Sequence, residues 1–178
     1  MLEIDNTVLV VIDVQGKLAQ SMHEKADLFE NVAKLIKAVG ILEIPIIWTE
    51  QYPEGLGPTI PQISELMTGE PIAKVAFSCC GERRFTEEME RLNRRQVLLC
   101  GIETHVCVYQ TAVDLLESGH EVHVAADAVS SRTAANKDIG LAKMKDAGAA
   151  VTSVETALFE LLKVAKGEKF KAVINIVK

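Results

Sequence analysis

Three residues of this chain join a reactive side chain to a position where an α/β protein builds chemistry: Asp13, Lys74 and Cys107. Cys107 follows the apolar run Val97 to Cys100, which reads as a short buried strand ended by Gly101. A periodic apolar pattern then starts and continues to Glu117, so the thiol falls in the first turn of a helix just past a strand. If Thr104 is the N-cap, Cys107 is at N3, inside the positive end of the helix dipole, where a thiol pKa of about 8.5 is lowered. Lys74 adds a point charge. Asp13 can take the thiol proton and return it to a leaving amine. Backbone N–H groups at the start of the same helix can hold an oxyanion. An acid, an amine and a thiol meeting at one crevice make a nucleophilic cysteine site.

Taken singly, each residue also has an ordinary reading. An Asp at a strand end often anchors a loop, a lone Lys is usually on the surface, and a Cys facing a core is a small hydrophobe. Their common placement at strand ends favours the catalytic reading, because side chains beyond the carboxyl ends of an open parallel sheet converge.

The elements needed for that convergence are present. Thr7 to Asp13 is a continuous β-branched run, the pattern of a strand buried on both faces. Further strands are expected at 44–48, 71–75, 96–100, 121–127 and 149–153. Helices are expected at 25–43, 61–67, 81–93, 104–118, 134–147 and 154–165, with a helical segment at 170–177. Thr49 to Thr59, rich in Pro and Gly, reads as a loop. Strand–helix alternation along all 178 residues, without linker or repeat, predicts one domain with a parallel sheet covered on both faces.

Composition narrows the partners. The net charge is −6 and no cluster of Lys and Arg stands out; Arg83-Arg84 and Arg94-Arg95 read as the solvated ends of one helix. Nucleic acid is therefore not the expected partner. No apolar run reaches the roughly 18 residues of a membrane helix, and no signal peptide is seen, so a cytoplasmic protein is expected. The four cysteines, at 79, 80, 100 and 107, lack metal-finger spacing and are expected as free thiols.

Four motifs together resemble the isochorismatase-like cysteine hydrolase family: Val11-Ile12-Asp13-Val14-Gln15, Ala73-Lys74-Val75-Ala76-Phe77-Ser78, Leu99 through Val108, and Val124-Ala125-Ala126-Asp127-Ala128. They span nearly the whole chain in the right order. The resemblance implies a three-layer Rossmann-like α/β fold with a six-stranded parallel sheet in the order 3-2-1-4-5-6. It implies a triad of Asp13, Lys74 and Cys107, a cis peptide between Ile102 and Glu103, and the amides of Glu103 and Cys107 as oxyanion hole. It also implies a homo-oligomer. Nicotinamidases of the family carry an Asp and two His after strand two; here Thr49 to Gly55 has no His, which disfavours a metal-dependent nicotinamidase. Isochorismatases of the family lack the cysteine, so cleavage of isochorismate is also disfavoured. The segment Thr49 to Gly57 resembles the branch of isochorismatase domain-containing proteins.

The expected activity is therefore an amidase-type cysteine hydrolase acting on a small carbonyl compound through a thioester, with no cofactor or metal. Candidates for the pocket are Gln15, Trp48, Tyr52, Phe77 and Cys80, with Gln15 bracing the Asp13 loop. Glu103 is expected to act through its backbone, its side chain turning to solvent or to a partner. Asp127 is expected to anchor neighbouring loops. Two other readings stand beside the hydrolase: a catalytically silent scaffold, and a thiol redox protein pairing Cys107 with Cys79 or Cys80.

Overall fold

β1 (Thr7–Ile12) has six consecutive buried residues, and every one of the seven residues of β4 (Gln96–Ile102) is buried. Strands covered on both faces show apolar runs of this kind rather than alternation. A computed structural model describing residues 1–178 places these two strands at the centre of one all-parallel sheet. Its strand order is β3-β2-β1-β4-β5-β6. The remaining strands are β2 (Ile46–Gln51), β3 (Ile72–Lys74), β5 (Glu121–Ser130) and β6 (Ala150–Thr152). The chain moves outward from β1 to β3, then returns to lay β4 beside β1. The β1–β4 boundary is thus the topological switch point, where a crevice opens beyond the strand ends.

The helices follow in chain order: α1 (Gly16–Gln20), α2 (Lys25–Ile41), α3 (Pro53–Leu56), α4 (Pro61–Ser64), α5 (Arg83–Leu92), α6 (Tyr109–Glu117), α7 (Ala134–Asp146), α8 (Val154–Leu162) and α9 (Glu168–Val177). Alternate strand residues feed two apolar layers. Leu9, Val11, Leu98 and Cys100 pack with Leu35 of α2, Leu158 of α8 and Val173 of α9. Val8, Val10, Ile12, Val97 and Leu99 pack with Phe85 of α5, Leu115 of α6 and Met144 of α7. No helix is long and apolar enough to cross a membrane.

The expected strand order holds, and several boundaries move. β2 runs three residues past Trp48, to Gln51, and β4 continues through Gly101 to Ile102. Gly101 has φ +115°, and a Cβ there would lie 2.1 Å from the carbonyl oxygen of Ile12. It is the residue that lets β4 close on β1 at the switch point. The helix expected from 104 opens instead as a π-helical turn, Thr104–Val108, in which the Val108 N–H reaches back to the Glu103 carbonyl at 3.2 Å. Arg94 is not a solvated helix end, since its guanidinium donates to the carbonyls of Ile4 and Thr7 and ties down the N-terminal segment.

Candidate active site

Asp13 is the first residue after β1. Its φ of +52° turns the chain sharply, and Asp tolerates this left-handed conformation better than most residues. The carboxylate is 2% exposed. Its two oxygens are both taken: Oδ1 accepts from the Thr49 hydroxyl at 2.7 Å, and Oδ2 accepts from Lys74 Nζ at 2.7 Å.

Lys74, the last residue of β3, has a side chain with no exposure at all. Burying an ammonium costs several kcal/mol unless it is paired and hydrogen-bonded. Here it is both. Besides Asp13, Nζ donates to Gln51 Oε1 at 2.7 Å and to the carbonyls of Phe77 and Ala76 at 3.0 and 3.3 Å. The register Gln51↔Lys74 puts these two side chains next to one another on neighbouring strands. Residues 75–77 thus wrap around the ammonium group.

Cys107, in the π turn, is buried with the α5–α6 layer, close enough to Asp13 and Lys74 for both charges to act on its thiol. Burial pushes the thiol up to about 12; the Asp13 carboxylate adds to the rise, and Lys74 opposes it. This reverses the expectation of a thiol acidified by a helix N-terminus. The turn is not a capped α-helix, the Thr104 hydroxyl is buried without a partner, and desolvation outweighs the dipole.

Cys79 opens a 3-10 turn (Cys79–Gly81) and is fully buried beside the same network. Its Sγ lies 3.8 Å from Thr49 Oγ1, and its backbone N–H donates to Thr111 Oγ1 at 2.9 Å. Burial pushes this thiol also up to about 12. All four cysteines are free.

On the other side of the thiol, the Ile102–Glu103 peptide is cis. The Glu103 side chain does not turn to solvent as expected: it is buried, and its carboxylate accepts from the backbone N–H and Nε of Arg132, both at 3.1 Å. Gly140 of α7 packs against the π turn so closely that a Cβ there would sit 2.7 Å from the Thr104 backbone.

The remaining candidates divide. Gln15 braces the loop: its side chain accepts from Gln51 N–H at 2.6 Å and donates to the Gly57 carbonyl at 2.7 Å. Tyr52 and Phe77 are half exposed next to Lys74, since Tyr52 N–H donates to the Lys74 carbonyl and Lys74 Nζ to that of Phe77. Trp48 does not reach the site. It lies in the α2-facing apolar layer, with its indole N–H unpartnered, because strand alternation sends Thr49 rather than Trp48 toward Asp13. Cys80 does not reach it either. It lines a cleft of about 440 Å³ between α5 and α6, near Asp114, and burial pushes its thiol up to about 11. Asp127 anchors α8 by accepting from the Val154 N–H at 2.9 Å. Thr49 and Gln51, which the sequence did not point to, belong to the same network, and Cys79, which the sequence offers only as a redox partner of Cys107, lies against it.

Comparison with known proteins agrees with this architecture. The isochorismatase domain matches residues 7–156. The chain is 36% identical to mouse isochorismatase domain-containing protein 2A, covering 98% of this chain and 84% of that protein. It is 38% identical to the secreted isochorismatase effector Isc1 of Phytophthora sojae, over 97% of this chain and 85% of that protein. Among solved structures, that of the MAR1 ribonuclease from Caenorhabditis elegans superposes with a TM-score of 0.92 at 38% identity, covering 99% of this chain and 91% of that one. The chain belongs to the isochorismatase family.

Proposed function

We propose that the protein is a cysteine hydrolase that cleaves C–N bonds of small amides, with Cys107 as nucleophile, Asp13 as proton carrier and Lys74 as the cation that holds Asp13. The observation that carries this reading is a single buried carboxylate held by Lys74 and Thr49 at 2.7 Å each, whose charge acts on the nearby Cys107 thiol. A thiol held near 12 is protonated at neutral pH. Attack therefore requires a base within hydrogen-bond reach, and Asp13 is that base.

The steps follow. The Cys107 S–H proton passes to Asp13 as sulfur bonds to the amide carbon and the carbonyl electron pair moves onto oxygen. The amides of Glu103 and Cys107 hold that oxyanion. Collapse re-forms the carbonyl and expels the amine, which takes the proton from Asp13, leaving a thioester. Water then attacks the thioester, giving its proton to Asp13, which returns it to the departing sulfur. The acid is released and the thiol restored. Lys74, with its N–H groups committed to four acceptors, orients the carboxylate throughout.

The rim supports a small substrate with an uncharged apolar substituent. Tyr52, Val75 and Phe77 are all exposed on the segments that enclose Lys74, and the Glu103 carboxylate is engaged by Arg132. The net charge of −6 and the burial of Lys74 favour a small carbonyl compound over RNA, the substrate class implied by the name of the C. elegans protein. The test is ammonia or amine release from a panel of neutral amides by native protein, Cys107→Ala and Asp13→Asn, with intact mass spectrometry for the acyl adduct. Turnover lost in both variants and an adduct on Cys107 are expected. Cleavage of RNA that survives Cys107→Ala, or amide turnover unaffected by it, overturns the proposal. Absence of any Cys107-dependent turnover favours the scaffold reading.

A further inference from the structure

The Thr49 hydroxyl touches two partners at once, Asp13 Oδ1 at 2.7 Å and Cys79 Sγ at 3.8 Å. A hydroxyl has one proton to give. The Asp13 carboxylate, paired with Lys74, accepts only, so that proton points at Asp13. The oxygen of Thr49 is then the acceptor toward Cys79, and the Cys79 thiol must be the donor. The result is a directed chain, Cys79 S–H to Thr49 O–H to Asp13, in which each bond polarises the next.

We infer that Cys79 is a positioning residue of this site, which acts by fixing the Thr49 hydroxyl on Asp13 and so holding that carboxylate in place to take the Cys107 proton. The inference rests on Asp13 serving as the base for Cys107. A second contact supports it. Cys79 N–H donates to Thr111, one helical turn beyond Cys107, so the Cys79 turn is fastened to the segment that carries the nucleophile. The titratable groups acting on the Cys107 thiol are Asp13 from the end of β1, Lys74 from β3 and Cys79 itself. Without the Cys79 donor, the Thr49 hydroxyl is free to turn from Asp13, the carboxylate loses one of its two fixed side-chain contacts, and it is aimed less well at the Cys107 proton.

The test reads Cys107 directly and needs no knowledge of the substrate. Iodoacetamide labelling of Cys107 is followed by peptide mass mapping between about pH 7 and pH 10, in native protein and in Cys79→Ala, Cys79→Val and Cys79→Ser. Circular dichroism melts select the variants that fold. Cys79→Val keeps the bulk without the donor, and Cys79→Ser keeps a donor. We expect labelling about three- to tenfold slower at each pH in Cys79→Ala and Cys79→Val, a profile displaced to higher pH, and a near-native profile in Cys79→Ser. A native profile in Cys79→Val, or a Cys79→Ser variant as slow as Cys79→Ala, overturns the inference alone. Labelling of Cys107 that is undetectable, or unchanged by Asp13→Asn, overturns both it and the assignment of Asp13 as base.

Discussion

The two sides of the switch point hold the reactive groups by different means. On the β1–β3 side the site is made of side chains: Asp13, Lys74, Thr49 and Gln51 are linked by hydrogen bonds of 2.7 Å. On the β4–α6 side it is made of backbone. Gly101 lets β4 touch β1, the 102–103 peptide is cis, and Gly140 lets α7 close on the π turn that carries Cys107. A side-chain network can lose one member and relax in part. A Cβ added at Gly101 would lie 2.1 Å from a backbone oxygen and has nowhere to go. The two sides should therefore respond to substitution in different ways, steeply on one and by degrees on the other.

The largest effect is expected from Gly101→Ala. A positive φ and a Cβ driven into the Ile12 backbone together cost about 4 kcal/mol or more, read as a fall in the urea midpoint or as failure to accumulate folded protein. A loss below about 1 kcal/mol would mean that the backbone side yields as readily as the side-chain side. Next is Lys74→Met, which strands the buried Asp13 carboxylate and should cost about 3–5 kcal/mol by the same measurement. The double change Asp13→Leu with Lys74→Met should recover most of that loss while removing the proposed base. Thr49→Val removes one donor and should cost about 1–2 kcal/mol; an effect as large as that of Lys74→Met would show the network failing as a unit.

The smallest effect near neutrality is that of pH, and its sign is fixed by the thiols. Cys79 and Cys107 are raised from 9.0 to about 12 in the folded protein. The folded state therefore holds these protons more tightly than the unfolded chain does. Their contribution to stability is complete below about pH 9 and is lost as the pH rises toward 12. Thermal midpoints should be flat with respect to these groups up to that pH and fall above it. Cys79→Val, which removes one such thiol, should flatten the alkaline slope; an unchanged slope would argue against the burial of that sulfur.

The sheet was readable because its central strands are unbroken apolar runs, which few other structures accommodate. Asp13, Lys74 and Cys107 were readable because strand ends in a parallel sheet face one crevice. Thr49 and Gln51 were not, for a definite reason. Their polarity resembles that of the loop that follows, so β2 was expected to stop at Trp48. With the strand extended to Gln51, residues 49 and 51 alternate with Trp48 and Glu50, and strand geometry alone sends them to the Asp13 face. The same shift explains why Trp48 was placed in the pocket. The high pKa of the Cys107 thiol is not legible because sequence reveals a nearby helix start but not how much water the fold removes. The π turn left no mark in the apolar pattern, which is continuous from Val106 into α6.

The buried pairing of Lys74 with Asp13 also limits how this site can change over generations. Either residue altered alone leaves an unmatched charge in the interior, so each single step passes through a poorly folded protein. Escape requires both changes nearly together, or a prior gain in stability elsewhere. A descendant that abandons the chemistry is therefore expected to keep both charges long after Cys107 itself has drifted. A chain with an intact Asp–Lys pair and no cysteine would be the relic of such a history.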